Sequence, residues 1–217
     1  MPKVHPDAAD PSPAAEHQEE PTPAVLTVWR KSLLFNCDGF TVFDAKGDLA
    51  FRVDCYGSGR HTEVVLMDAA GKPLLTVRRK RLSLAEQWVI YDGDADADAD
   101  AKPLLSVRRH VSLRRSSNKT LAHVTPLAAA SAADEFFVVE GSYGRRACTV
   151  RDARGDAVVA QVQRKESPVG DEVFRLVADP RLGAALPMGL VIALDGMFRG
   201  GGGRGAARSL LRRTWSV

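Results

Sequence analysis

Arg78 and Lys80 stand two residues apart in Lys72-Pro73-Leu74-Leu75-Thr76-Val77-Arg78-Arg79-Lys80, and Arg108 and His110 hold the same places in Lys102-Pro103-Leu104-Leu105-Ser106-Val107-Arg108-Arg109-His110. Two basic side chains at period two, repeated in a second segment, are what a phosphate group needs from an extended chain. Each can offer charge-assisted hydrogen bonds, and arginine offers them as a planar fork. The same pattern also suits a solvated sheet face with charges spaced across strands. Other chemistry finds less support. No nucleophile, base and orienting group fall into a recognisable motif, and His5, His17, His61, His110 and His123 are too scattered for metal-ligand spacing. The run Asp92-Gly93-Asp94-Ala95-Asp96-Ala97-Asp98-Ala99-Asp100 alternates acids as a calcium loop does, but lacks the glycine and the bidentate glutamate such a loop requires. Gly200, Gly202 and Gly205 match a dinucleotide fingerprint only because their tract is nearly all glycine, with no strand before it. We therefore expect a non-enzymatic protein with no cofactor and no metal, and take Arg78, Lys80, Arg108 and His110 as the candidate anion site.

The elements that must carry these residues are strands. In each basic segment, alternation places Leu75 and Val77, or Leu105 and Val107, on one face and the basic residues on the other. Leu49, Phe51, Val53 and Cys55 form a similar apolar face opposite Arg52 and Asp54. Three turns repeat one pattern, Asp44-Ala45-Lys46-Gly47, Asp68-Ala69-Ala70-Gly71 and Asp152-Ala153-Arg154-Gly155, each between apolar runs. Aspartate opens such a turn and glycine accepts a positive φ, which predicts three short hairpins with a bulge. The Asp/Ala run precedes the second basic segment and caps a strand pair. About a dozen strand candidates end with Val173 to Val177. Leu182 to Phe198 is apolar on every side except at Asp195, so a helix there must be buried all round. Gly183, Pro187, Gly189 and Gly196 lower its intrinsic propensity, leaving tertiary burial to supply the difference. Many strands and one wholly buried terminal helix predict an antiparallel barrel closed around that helix.

The chain has 217 residues, 45% of them hydrophobic, and a net charge of +3, which fits one domain over residues 25–199. Residues 1–24 are rich in proline and set Lys3 against Asp7, Asp10, Glu16, Glu19 and Glu20, the composition of a disordered tail. Residues 200–217 form a Gly/Arg-rich tail, and from Arg199 onward the chain carries five arginines and no acid. Cys37, Cys55 and Cys148 are odd in number and widely spaced, which suggests neither disulfides nor zinc and fits a reducing compartment. There is no secretory signal pattern, and Leu186 to Leu194 is far shorter than the roughly 20 residues of a membrane span. These features predict an intracellular monomer without a transmembrane segment.

Several stretches, taken together, resemble the LURP-one-related family of plants. They are Val28-Trp29-Arg30-Lys31-Ser32-Leu33-Leu34-Phe35, Gly39-Phe40-Thr41-Val42-Phe43-Asp44, Phe51-Arg52-Val53-Asp54-Cys55-Tyr56, Val65 to Leu75, Glu140-Gly141-Ser142-Tyr143 and Asp171-Glu172-Val173-Phe174-Arg175-Leu176. The resemblance covers most of residues 25–198. It implies a barrel of about twelve strands around a hydrophobic C-terminal helix, similar to the C-terminal domain of Tubby proteins and to phospholipid scramblases. Pro187 and the glycines depart from the continuous helix of the family. The resemblance also implies a role in plant defence or stress responses, with no established chemistry. Tubby domains bind phosphoinositide headgroups through basic residues. By that analogy, the basic cluster points to peripheral contact with anionic membrane lipid, aided by the Arg-rich tail at about 1 kcal/mol per basic residue near the surface. The alternative is a protein-interaction or transcription-regulatory module whose tails recruit partners, in the cytoplasm or the nucleus. Nucleic acid is an unpromising partner, because the tail lacks interleaved aromatic residues and a reading helix.

Overall fold

In the computed structural model of the chain, described over residues 22–33, 38–55, 63–95, 101–111, 120–127, 137–165 and 172–198, the strands close into a single barrel. In chain order they are β1 (Ala24–Trp29), β2 (Asp38–Phe43), β3 (Leu49–Cys55), β4 (Glu63–Asp68), β5 (Pro73–Arg79), β6 (Gln87–Asp92), β7 (Pro103–Arg109), β8 (Thr120–Pro126), β9 (Phe137–Ser142), β10 (Ala147–Asp152), β11 (Val158–Arg164) and β12 (Val173–Ala178). Each pairs antiparallel with its neighbours in sequence, and β12 returns to β1 through the register Ala24↔Ala178 to Trp29↔Val173. Closure leaves no sheet edge. Of the tails expected at 1–24 and 200–217, only residues 22–24 are described, and residues 96–100 of the Asp/Ala run also lie outside the described residues.

Period-two alternation sorts the strands into an apolar interior and an exterior that mixes charged, polar and apolar residues. Val28, Val42, Val53, Leu66, Val77, Ile90, Val107, Val124 and Val139 point inward and are buried. Thr27, Arg78, Arg108, Gln163 and Arg175 alternate with such residues on the outside.

The three Asp-Ala turns behave as a family. Asp44 Oδ1 accepts from the Lys46 and Asp48 N–H groups at 2.8 and 2.9 Å, Asp68 Oδ1 from Lys72 N–H at 2.8 Å, and Asp152 Oδ1 from Arg154 N–H at 2.9 Å. A register shift follows in each pair: at Val42/Phe43, Leu66/Met67 and Val150/Arg151. Gly47 and Gly71 take the positive φ that the pattern predicts, at 91° and 89°. The third turn differs. There Asp156 takes the left-handed conformation at φ 52° in place of Gly155, because the turn is one residue longer and closes from Asp152 N–H to Ala157 O.

After a 3-10 turn at Pro180–Leu182, helix α1 (Ala185–Phe198) fills the interior. At 14 residues it is about 21 Å long, close to the height of strands of six or seven residues. Met188, Leu190, Val191, Ile192, Ala193, Leu194 and Met197 are all buried, as an all-apolar helix requires. Pro187 does not interrupt it. It is the third residue of the helix, where a backbone N–H would have no intrahelical partner in any case. The glycines have a packing role: a Cβ on Gly196 would sit 2.3 Å from Trp88 Cζ2, and one on Gly189 would sit 3.3 Å from Ile90 and Leu75 methyls. Only a bare backbone passes Trp88 at that distance.

Candidate functional site

An up-and-down barrel has two ends, and this chain makes them chemically unlike. Odd-numbered strands run away from the Asp-Ala turns and even-numbered strands run back. All three Asp-Ala turns and the start of the Asp/Ala run therefore share one end, with Asp44, Asp68, Asp92, Asp94, Asp152 and Asp156. The opposite end, where α1 finishes, gathers Arg30 and Lys31 after β1, Arg78 to Arg81 at the end of β5, Arg108 to His110 at the end of β7, and Arg145 and Arg146 between β9 and β10.

Inside the mouth of this basic end lies a polar lock on the helix. Asp195, the one acid of α1, accepts from Arg30 Nε at 3.2 Å and from the Tyr143 hydroxyl at 3.1 Å. Tyr143 is buried, and burial together with the Asp195 charge raises its phenol above the ordinary value, so it remains a donor. Arg146 is buried at φ 52°, with its guanidinium 4.6 Å from the Tyr143 ring and 4.2 Å from the Phe174 ring. Next to it, burial pushes the Cys148 thiol up to about 11, so it stays protonated and unreactive at neutral pH. A second lock stands across the mouth. Glu86 pairs with Arg79 at 3.4 Å and Arg109 at 3.3 Å, while Arg109 lies 4.9 Å from the Phe198 ring and reaches the Met197 carbonyl at 3.4 Å, a cation at a helix C-terminus.

The four residues singled out from sequence lie on the outside wall of this end. Arg78 on β5 pairs with Glu63, its cross-strand partner on β4, and sits 5.6 Å from the Tyr91 ring. Lys80 and Arg108 are exposed on either side of Gln87: Lys80 N–H donates to the Gln87 carbonyl at 2.8 Å, and Arg108 faces Gln87 in the β6–β7 register. Thus β5 and β7 are not direct neighbours, because β6 separates them and serves both. His110 lies 3.1 Å from His123, which faces Arg108 across the β7–β8 pair. Burial, then His110, then Arg108 lower the pKa of His123 below its ordinary value. Lys80, Arg108, His110 and His123 thus make a basic strip running from the end of β5 to β8 on the outer wall, with Arg78 two residues before Lys80 and partly neutralised by Glu63. No group of three or more His, Cys, Asp or Glu residues suited to a metal occurs among the described residues.

Sequence reasoning did not single out Arg30, Arg79, Glu86, Arg109, Tyr143 or Arg146. Two signals were available. Asp195 in an otherwise apolar helix requires a buried partner, and Arg79 and Arg109 share the parity of Leu75, Val77, Leu105 and Val107.

A family model for LURP-one-related proteins matches residues 24–195, spanning the barrel and most of its helix. The chain belongs to the LURP-one-related family. This LURP-one-related chain is 42% identical over 206 residues to Protein LURP-one-related 8 of Arabidopsis thaliana, with 92% of this chain and 99% of the relative covered. It is 43% identical over 181 residues to Protein LURP-one-related 5 of the same plant, covering 80% and 82%. Among solved structures, an X-ray structure of an Arabidopsis thaliana protein matches with a TM-score of 0.58 and 27% identity, over 82% of this chain and 92% of that one. The stretches that carried the resemblance contribute Arg30, Tyr143 and Phe174 to the lock around Asp195.

Proposed function

We propose that this LURP-one-related protein is a non-catalytic binding module, acting in plant defence or stress responses, whose basic end meets anionic phosphoinositide headgroups at a membrane surface. The observation that carries the reading is the segregation of charge. Arg30, Lys31, Arg78 to Arg81, Arg108 and Arg109 collect at one end of the barrel, while at the other the aspartates of the turns outnumber Lys46, Lys72, Lys102, Arg154 and Arg181, so the molecule has a face that an anionic surface attracts and a face that it repels. Lys80, Arg108 and His110 stand exposed or half-exposed on that face, where phosphate oxygens can reach them without displacing a core contact. The apolar filling of the barrel supports binding over catalysis, since helix α1 occupies the volume in which a polar reaction pocket would lie. No helix among the described residues is long and apolar enough to cross a membrane, so the contact proposed is peripheral.

Vesicle sedimentation at moderate salt tests this reading. Phosphatidylcholine vesicles that contain phosphoinositide are expected to carry the protein down, and plain phosphatidylcholine vesicles are expected to leave it in solution. Soluble inositol phosphate should compete. Equal behaviour with both vesicle types would contradict the reading and favour a protein-interaction module.

A further inference from the structure

We infer that the β5–β6 tip is a membrane-inserting element, which places Leu82 and Leu84 in the interfacial layer of an anionic bilayer while the surrounding Arg and Lys residues hold the headgroups. The inference rests on the lipid reading of the basic end and specifies how that end docks. Leu82 is 97% exposed and Leu84 is fully exposed, at the tip of a short connection that opens with Lys80 and Arg81. The two leucines at this loop tip gain no burial among the described residues. Among the described residues, the other large apolar side chains with more than half of their surface exposed, Leu33 at 51% and Val111 at 64%, lie in connections at the same end. Leu127 and Val158 at the opposite end are less exposed, at 44% and 37%. Apolar tips and basic residues therefore coincide on one face, the combination by which peripheral proteins join apolar insertion to attraction for anionic lipid. A second copy of this chain is a poorer occupant: its basic end would repel this one, and its aspartate end offers Leu82 and Leu84 less exposed apolar surface, Leu127 at 44% and Val158 at 37%.

The tip is also braced for insertion. At its base Glu86 is held by Arg79 and Arg109, and Arg109 N–H donates to the Glu86 carbonyl at 2.8 Å. Ser83 Oγ donates to Gln87 Oε1 at 3.2 Å, and Gln87 Nε2 donates to Ser106 Oγ at 2.7 Å. A braced tip has less conformational freedom to lose on docking than a loose one.

The test pairs a binding measurement with an insertion measurement on the full chain. In sedimentation with phosphatidylcholine vesicles containing phosphoinositide, L82S/L84S should bind at least about tenfold more weakly than the parent, given the apolar area each leucine buries. L127S at the other end should match the parent. In an L84W variant, Trp fluorescence should shift to the blue on adding these vesicles and stay unshifted with plain phosphatidylcholine. Parent binding that L82S/L84S retains in full, with no shift in L84W, would overturn insertion while leaving the lipid reading in place. A parent that binds no anionic vesicle would overturn both. Loss of a concentration-dependent dimer in L82S/L84S, with vesicle binding intact, would assign the tip to self-association and overturn insertion.

Discussion

Gly196 and Asp195 are adjacent, and between them they fix how α1 sits in the barrel. Gly196 allows the helix backbone to pass Trp88, so Gly196→Ala should destabilise the protein by about 1–3 kcal/mol even though alanine favours helix, because the added methyl meets a rigid indole in a packed interior. Gly189→Ala should stay within about 1 kcal/mol of the parent, since its new methyl meets methyl groups at 3.3 Å that can give slightly. Thermal or urea unfolding of the pair checks both. Asp195→Ala should cost about 2–3 kcal/mol, because it strips the acceptor from a buried tyrosine and a half-buried arginine; Asp195→Asn, which still accepts from Tyr143, should cost less. His123 titrates below its ordinary value of 6.5, so on acidification the unfolded chain takes up the proton first. The stability that His123 contributes is therefore lost as pH falls from about 6.5 toward its folded-state value, and this contribution alone is constant below it. His123→Gln should flatten that part of the stability curve, measured by urea unfolding between neutral and mildly acid pH.

The elements show which of these features can be seen in sequence alone. Strand identity was legible wherever alternation ran unbroken, as in Leu75 and Val77 against Thr76 and Arg78, and the bulged hairpins were legible in their Asp and Gly spacing. The sequence pattern predicts the positive φ of the third turn at Gly155, because a turn one residue longer looks identical until its closing hydrogen bond is known. Helix α1 was legible as buried, but Pro187 and the glycines looked like liabilities, since propensity does not reveal that Pro187 falls in the first turn or that Trp88 crosses at Gly196. The basic strip was found in part. Parity gave Arg78, Lys80, Arg108 and His110 a common outward face, whereas the approach of His110 to His123 depends on a β7–β8 register that no local pattern specifies. The barrel without its helix is a shell whose inward residues lose their partners. Truncation after Ala184 should abolish cooperative thermal unfolding and raise the binding of a hydrophobic dye, both compared with the full chain.

At the scale of the whole molecule, an even number of sequential strands sends all the Asp-Ala turns to one end and the ends of both basic segments to the other, so topology alone converts a modest net charge into a polar body. Aspartates at the turns after β2, β4, β6 and β10, with arginines at the far ends of β5, β7 and β11, produce this segregation through strand order. Orientation, and not total charge, is the property that follows. Its most direct measurement is sedimentation with phosphoinositide-containing vesicles of two variants of equal net charge, K80E/R108E at the basic end and K46E/K72E among the aspartate turns. Binding is expected to fall at least about tenfold in K80E/R108E and to remain near that of the parent in K46E/K72E. An equal loss in the two variants, or none in either, would contradict a binding face at the basic end.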